Sequence, residues 1–363
     1  MLKEGQVRIP SGCAISGFIN RNGERRSGAD IVTSISYMKE RSNGLGGGFA
    51  GYGIYPEYAD KYAFHVFYDD EATRKVGDDF ISEHFEVVDC STIPVREHPG
   101  IGKAPLIWRY FVDCRTSKLK SNQLDEREYV AQCVTSINHN IDGAYVFSSG
   151  KNMGVFKAVG YPEDVGEYYK LEEYKGHCWT AHGRYPTNTP GWWGGAHPFA
   201  MLDYTIVHNG EISSYAVNRN FVEMHGYHCD LLTDTEAITY IFDYLNRKLG
   251  MKLEDAAKVI ASPFWSEIES SAKYTEKERG ILRYIRANFP SLLVTGPFSI
   301  MLGFEGGFMA LNDRLKLRSM VYAEKDDTVY VASEECAIRA ICPDIDGVLS
   351  PRGGEPIIVR LNK

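Results

Sequence analysis

The hydrophobic and polar positions of this chain form successive blocks of strand-like and helix-like pattern. The run CAISGFINRNG at 13–23 is typical of a strand that ends in an Asn-Gly turn. The next block places Ile31, Ile35 and Met38 at helical spacing, which predicts a helix that stops at the Asn-Gly pair at 43–44. Strand and helix blocks do not alternate strictly, so the pattern favours an α+β layered architecture over a doubly wound sheet.

A glycine-rich run, GLGGGFAGYG at 44–53, separates this helix from the next predicted strand. A phosphate-binding loop leads from a strand into a helix, whereas this run leads from a helix into a strand. The order therefore argues against a nucleotide site and favours close packing of backbone against its neighbours.

The segment at 57–145 has a rhythm of its own. Strand-like and helix-like patterns follow one another there in the order β-α-β-β-α-β, which is the order of ferredoxin-like units. We interpret this segment as an inserted subdomain that docks a partner. The alternative is a set of extra strands and helices that merge into the main layers.

The second half of the chain continues with strands and then helices. One predicted helix has Ile238, Ile241 and Leu245 at helical spacing and begins with a capping-box pattern formed by Thr233 and Glu236. Two more helices are predicted at about 252–261 and 275–289, and several strands close the chain.

Composition and charge exclude several classes of function. The chain has 363 residues and a net charge of −8, and an acidic protein repels the phosphates of nucleic acids. It lacks the roughly 20 consecutive apolar residues of a membrane span, and its first residues lack the apolar core of a secretory signal. Eight scattered cysteines without a C-x-x-C pair indicate reduced thiols, so we expect a cytoplasmic protein.

Metal and cofactor chemistry is not indicated either. Four histidines fall between residues 177 and 208, but their spacing matches no metal-binding motif. Without a C-x-x-C cluster there is no sign of an iron–sulfur segment. We therefore expect neither a metal nor a cofactor.

The window at 182–236 contains side chains suited to a free amino acid with an amide side chain. The guanidinium of Arg184 matches an α-carboxylate, and Asp234, at the start of a predicted helix, suits an α-ammonium. Asn209 and Gly210 could donate hydrogen bonds to an oxyanion, and Cys13 is the candidate nucleophile.

Each of these residues also has an ordinary structural interpretation. Taken alone, Cys13 would be a buried strand thiol, and Arg184 would be a surface ion-pair partner. The Asn209-Gly210 pair would be a hairpin turn, and Asp234 would neighbour a helix cap.

Several pieces of the sequence, in order, resemble the class II glutamine amidotransferases, which are N-terminal-nucleophile hydrolases. Within that family it resembles the amidotransferase domain of glutamate synthase, in a stand-alone form. The pieces are CAISGFI, HGRYPTNTPGWWGGAHPF, VHNGEISS, LLTDTE, GPFSIML, NDRLKLRSM and VASEE. The resemblance implies a four-layer α/β/β/α sandwich at 13–363, with the last but one of these pieces as a hairpin.

The resemblance also implies roles in catalysis. Cys13 would be the nucleophile, with its own α-amine as general base, and Asn209 and Gly210 would form the oxyanion hole. An α-amine titrates near pH 8, whereas a peptide nitrogen cannot accept the proton of the thiol. Residues 1–12 would therefore be a leader that is removed to free Cys13.

The remaining implied roles concern the substrate and the partners. Arg184 would bind the α-carboxylate of L-glutamine with Thr187 and Asn188 beside it, and Asp234 would bind the α-ammonium. The ammonia would pass to a separate synthase-type subunit, so the resemblance also implies an oligomer. Two alternatives stay open: an N-terminal-nucleophile hydrolase of another amide, and a non-catalytic regulatory or assembly subunit that keeps its leader.

Overall fold

The computed structural model describes residues 12–184 and 191–362, which form three larger sheets and their helices. The strands are β1 Ala14–Asn20, β2 Arg26–Ser27, β3 Gly47–Tyr52, β4 Tyr62–Tyr68, β5 Phe85–Thr92, β6 Leu106–Cys114, β7 Ala144–Ser148, β8 Met153–Ala158, β9 Lys175–Gly176, β10 Cys178–Gly183, β11 Phe199–Met201, β12 Tyr204–Gly210, β13 Phe298–Phe304, β14 Gly307–Asn312, β15 Val321–Lys325, β16 Thr328–Ala332 and β17 Ile357–Arg360. The α-helices are α1 Gly28–Ser36, α2 Glu71–His84, α3 Thr116–Asn122, α4 Glu126–Asn140, α5 Pro162–Tyr168, α6 Tyr215–Met224, α7 Asp234–Asp243, α8 Leu253–Ile260, α9 Trp265–Ser270, α10 Glu276–Asn288 and α11 Glu335–Arg339.

The first sheet has six strands in the order β15-β16-β1-β10-β3-β8. Strand β1 lies in its middle and pairs antiparallel with β10 and β16, so that Ile15 lies opposite His182. Helices α1, α5 and α11 cover the outer face of this sheet. Ser16 of β1 and Ser34 of α1, for example, share a hydrogen bond of 2.6 Å across that interface.

The second sheet has five strands in the order β11-β12-β13-β14-β17. Helices α6, α7, α8 and α10 pack on its outer face around a cluster that includes Ile206, Ile238 and Ile300. Its inner face contributes Val207 and Met301 to the core shared with the first sheet. The helix–sheet–sheet–helix order confirms the predicted four-layer α+β sandwich.

The third sheet has four strands in the order β5-β6-β4-β7, all antiparallel. With α2 and α4 it gives the chain order β4-α2-β5-β6-α4-β7, which confirms the predicted ferredoxin-like unit. One face of β4, with Phe64 and Val66, packs under these helices. The other face places Ala63 and Phe67 in the main core, so the unit is merged with the sandwich through one face of its sheet.

The limits of that unit differ from the predicted segment at 57–145. The paired strands begin at Tyr62 and end at Ser148. The docking role of this segment and the removal of the leader at 1–12 stay predictions. Residues 1–11 lie outside the described residues.

One local prediction was wrong, and another was confirmed only in part. The segment after Asn312 is not a hairpin, because it leads from β14 in the five-stranded sheet to β15 in the six-stranded sheet. The capping box of α7 is half formed. The side chain of Thr233 accepts the N–H of Glu236 at 3.2 Å, but the Glu236 carboxylate accepts the N–H of Leu231 at 3.0 Å.

The glycine-rich run packs closely, as predicted. Gly47 lies against the backbone of Pro162, and a side chain on Gly48 would overlap the carbonyl oxygen of His197. No helix within the described ranges is long and apolar enough to cross a membrane.

Candidate active site

Cys13 lies immediately before β1, which is a central strand of the six-stranded sheet, and is partly exposed. Its carbonyl oxygen accepts a hydrogen bond of 2.8 Å from Nε of Arg41. The same arginine accepts the N–H of Gly12 at 3.0 Å through its own carbonyl and pairs with Glu334 at 2.8 Å. Arg41 therefore fixes the backbone on both sides of the Gly12–Cys13 bond.

Arg184 follows the last residue of β10 and is almost fully buried, at 4% exposure. Its N–H donates to the carbonyl of Gly46 at 2.8 Å, which fixes its backbone beside β3. Two glycines leave room for its side chain: a Cβ on Gly46 would lie 2.9 Å from Cδ, and one on Gly195 would lie 3.3 Å from Nη1. The interpretation of Arg184 as a surface ion-pair partner is therefore wrong.

The charges of the candidate site meet at Arg184. Burial lowers the pKa of its guanidinium, and the Cys13 thiol and the Asp234 carboxylate act against that shift. Cys13 and Asp234 therefore both lie within electrostatic reach of Arg184, although they are far apart in the sequence. A buried guanidinium and a nearby carboxylate provide complementary charges for a zwitterionic ligand.

Asn209 and Gly210 end strand β12 and pair with Ser299 and Phe298 of β13, so they do not form a hairpin turn. Asn209 is fully buried, and its Nδ2 donates to Oγ of Ser333 at 3.3 Å. The same hydroxyl accepts the N–H of Ile15 at 3.1 Å. Ser333 thus joins the strand that follows Cys13 to the amide of Asn209.

Gly210 has no room for a side chain, because a Cβ there would overlap the carbonyl oxygen of Pro297. The N–H of Glu211 donates to that oxygen at 3.0 Å. Since N–H directions alternate along a strand, the N–H of Gly210 points away from β13. Strand β11 begins at Phe199, opposite Ile206, and does not reach this position. The geometry suits a backbone donor directed at a ligand.

Asp234 is the first residue of α7, where the helix dipole favours an anion. Its Oδ2 accepts the N–H of Ile212 at 3.1 Å, and its Oδ1 accepts the hydroxyl of Thr235 at 3.1 Å. Burial would raise the pKa of this carboxyl, but His208 at 3.5 Å and these two donors outweigh it, so the pKa lies below its ordinary value. Asp234 is therefore ionised at neutral pH and partly exposed.

Three of the clustered histidines stack beside these residues. The rings of His182 and His197 lie 4.0 Å apart, and Nδ1 of His197 accepts the N–H of His208 at 3.3 Å. Burial lowers the pKa of His182 to about 3 and that of His197 well below its ordinary value, so both are neutral. Across the described ranges, no group of three or more His, Cys, Asp or Glu side chains is arranged to hold a metal ion.

Thr187 and Asn188 lie outside the described residues. Sequence patterns indicated no role in the site for Arg41 or Ser333. Arg41 stands in a polar run without periodicity, and Ser333 stands in the VASEE piece, where its contact with β1 depends on the pairing of distant strands.

A comparison with protein families matches residues 62–345 to the glutamine amidotransferases class-II. The match includes Arg184, Asn209, Gly210 and Asp234 but begins after Cys13. An uncharacterised protein of Archaeoglobus fulgidus is 50% identical over 96% of this chain and 92% of its own length. A protein of Methanothermobacter thermautotrophicus, named provisionally as a glutamine amidotransferase, is 28% identical over 91% of this chain and 93% of its own length.

Among solved structures, the glutamine phosphoribosylpyrophosphate amidotransferase of B. subtilis, complexed with ADP and GMP, aligns with a TM-score of 0.48 at 13% identity. The alignment covers 96% of this chain and 47% of that one.

Proposed function

Because this chain belongs to the class II glutamine amidotransferases, we propose that it hydrolyses L-glutamine to L-glutamate and ammonia through a thioester on Cys13. The observation that carries the proposal is the buried guanidinium of Arg184, which interacts with both Cys13 and Asp234. The guanidinium suits the α-carboxylate of glutamine, and Asp234 suits the α-ammonium. The side-chain amide of the substrate would then lie toward Cys13.

In this mechanism the sulfur of Cys13 attacks the amide carbon of the substrate while the α-amine of Cys13 takes the thiol proton. Nδ2 of Asn209 and the N–H of Gly210 stabilise the oxyanion that forms. When the intermediate collapses, the C–N bond breaks, and the α-ammonium returns its proton to the leaving ammonia. Water then hydrolyses the thioester to glutamate and the free thiol.

The mechanism requires cleavage of the Gly12–Cys13 bond, since an amide nitrogen cannot act as the base. The hydrogen bonds of Arg41 to the residues on both sides of that bond support this step, because they hold the bond in a defined position. We expect active protein to begin at Cys13. Intact mass and glutaminase activity measured on one sample test this expectation, and full activity from chains that retain residues 1–12 would contradict it.

We further propose that the ammonia reaches a separate synthase-type subunit, as the resemblance to glutamate synthase implies. Titration of the purified chain with a candidate synthase subunit should raise the rate of glutamine hydrolysis.

The decisive experiment compares glutamine hydrolysis by the wild type, Cys13→Ala and Cys90→Ala. Cys90 is an exposed thiol in the ferredoxin-like unit, so its removal should leave the rate unchanged. Cys13→Ala should abolish hydrolysis without loss of fold, and a glutamine-like diazo ketone should label Cys13 alone. Labelling at Cys178 or Cys229, or hydrolysis of another amide in preference to glutamine, would overturn the proposal.

A further inference from the structure

A buried lysine outside the residues discussed so far holds a segment of the candidate site. Lys157 lies in β8, and its side chain is fully buried. Its ammonium donates to the carbonyl of Gly194 at 2.9 Å and to that of Pro198 at 3.3 Å. It also lies 4.8 Å from the ring centre of Phe199 and 5.1 Å from that of Tyr145. Such a burial is costly for an ammonium unless its partners have a defined geometry.

The segment between those two carbonyls carries two contacts to the site. Gly195 lies against the guanidinium of Arg184, where the absence of a side chain leaves room for Nη1. His197 stacks on His182, and its Nε2 lies 3.3 Å from the hydroxyl of Thr235, the neighbour of Asp234. A shift of this segment would therefore change the surroundings of both proposed binding groups for glutamine.

We propose that Lys157 is a positioning residue for the glutamine site, whose ammonium fixes both ends of the segment Gly194–Pro198. The inference rests on the proposed function for its kinetic consequence. The structural consequence, which is the ordering of the segment Gly194–Pro198, is independent of that function. Lys157 acts through the backbone and contacts no substrate.

The charge of Lys157 changes near neutral pH. Burial lowers its pKa to about 7, with Glu236 opposing the shift and Arg184 adding to it. Glu236 is itself buried, which raises its pKa to about 8, whereas His197 is neutral and burial holds the pKa of Tyr145 well above its ordinary value. Below pH 7 the ammonium donates charge-assisted hydrogen bonds, and above pH 7 a neutral amine donates weaker ones. The hold on the segment should weaken as pH rises through 7.

The kinetic test compares Lys157→Met with Lys175→Met, a control at an exposed lysine in β9. Methionine keeps the length and apolar stem of the side chain but donates no hydrogen bond. Loss of a charge-assisted hydrogen bond should raise KM for glutamine roughly tenfold in Lys157→Met, with a smaller change in kcat. Wild-type KM should rise between pH 6 and pH 8, whereas KM of Lys157→Met should rise less over the same range. An unchanged KM, or an unchanged pH profile, would overturn the inference.

A second measurement needs no glutaminase activity. Amide hydrogen exchange, corrected for the intrinsic effect of pH, should be faster in peptide 191–199 of Lys157→Met than in the wild type. Exchange in β1 should stay the same in both proteins. If the wild type proves inactive on glutamine but shows this difference, the proposed function fails and the positioning role stands.

The wild type alone provides the check if Lys157→Met does not fold. Its peptide 191–199 should lose protection between pH 6 and pH 8, while β1 does not. Equal protection of that peptide at both pH values would refute the role of the ammonium.

Discussion

At the scale of one residue, the proposed binding of an α-carboxylate depends on the burial of Arg184. The residue is 4% exposed, and removal from water makes its interaction with a carboxylate stronger than at the surface. Planar guanidinium can form two parallel hydrogen bonds to a carboxylate, whereas an ammonium offers only a point charge. The shape of the group should therefore matter as much as its charge.

We expect Arg184→Lys to raise KM for glutamine by roughly ten- to a hundredfold, because it loses the paired hydrogen bonds while keeping the charge. Asp234→Asn should raise KM in the same range, because it removes the negative charge that would bind the α-ammonium of glutamine. Steady-state kinetics test both variants, with Arg352→Lys as a control at an exposed position. Wild-type kinetics in both variants would indicate another substrate.

Ser333 is a second residue with a consequence beyond its size. One hydroxyl accepts hydrogen bonds from the backbone of Ile15 and the side chain of Asn209. Ser333→Ala leaves two buried donors without this acceptor, so we expect a loss of about 1–3 kcal/mol in the free energy of unfolding. We also expect kcat to fall more than KM rises. Urea unfolding and kinetics, with exposed Ser121→Ala as the control, decide between this outcome and no effect.

Strand β3 shows at the scale of an element why a glycine run was needed. Its inner positions admit the backbone of other segments, and Gly48 lies against the carbonyl oxygens of His197 and Phe156. Gly48→Ala should therefore displace the segment around His197 and lower the free energy of unfolding by about 1–3 kcal/mol. Gly102→Ala, where a Cβ would meet no atom within 4 Å, is the matched control. Equal thermal midpoints for the two variants would contradict this account.

Sequence patterns predicted the elements whose signal is local. Helix α10 at Glu276–Asn288 has a strong apolar stripe and a full capping box, and its predicted limits of 275–289 are nearly those observed. Short helices such as α5 and α9 were missed because they hold too few turns to show a period. The crossing from β14 to β15 was also missed, since the choice of sheet depends on strand pairing rather than on local sequence.

The candidate site was predicted from its residue types and their order, not from their distances. The buried state of Arg184 and the segment held by Lys157 could not be predicted, because a lone cation in a sequence has no signal that separates interior from surface. Only the packed sheets decide which side chains meet.

The whole molecule should lose stability in acid through its buried imidazoles. Burial lowers the pKa of His65 to about 3, so its contribution is complete above pH 6.5 and is lost as pH falls toward 3. At pH 5 a group of this kind has lost about 2 kcal/mol. Glu236 acts in the opposite direction, because its raised pKa favours the folded state as pH falls from 8.

A single variant isolates the contribution of His65 to the pH dependence of stability. His65→Phe replaces the imidazole by a ring that does not titrate and loses its hydrogen bonds to Tyr55 and Val155. It should be less stable than the wild type at pH 8, and that difference should shrink by about 2 kcal/mol at pH 5. Urea unfolding at the two pH values measures the change, and a constant difference would show that His65 does not contribute.

The ferredoxin-like unit should be essential to the whole fold, because one face of its sheet lies in the main core. Replacement of residues 62–148 by a Gly/Ser linker should yield no folded, active protein, since buried side chains such as Phe67 and Phe111 are lost. Replacement of α3 alone, which buries no residue, should preserve activity. Circular dichroism and glutamine hydrolysis test both variants. An active protein without residues 62–148 would restore the interpretation as a detachable docking module.

The contact between Ile15 and Ser333 joins residues 318 positions apart. A ribosome produces residues at roughly 5–20 per second, so strand β1 waits for about tens of seconds before its neighbour β16 exists. During that time the growing chain has a thiol but no assembled centre around it. The chain can therefore begin to release ammonia from glutamine only after nearly all of it has been synthesised.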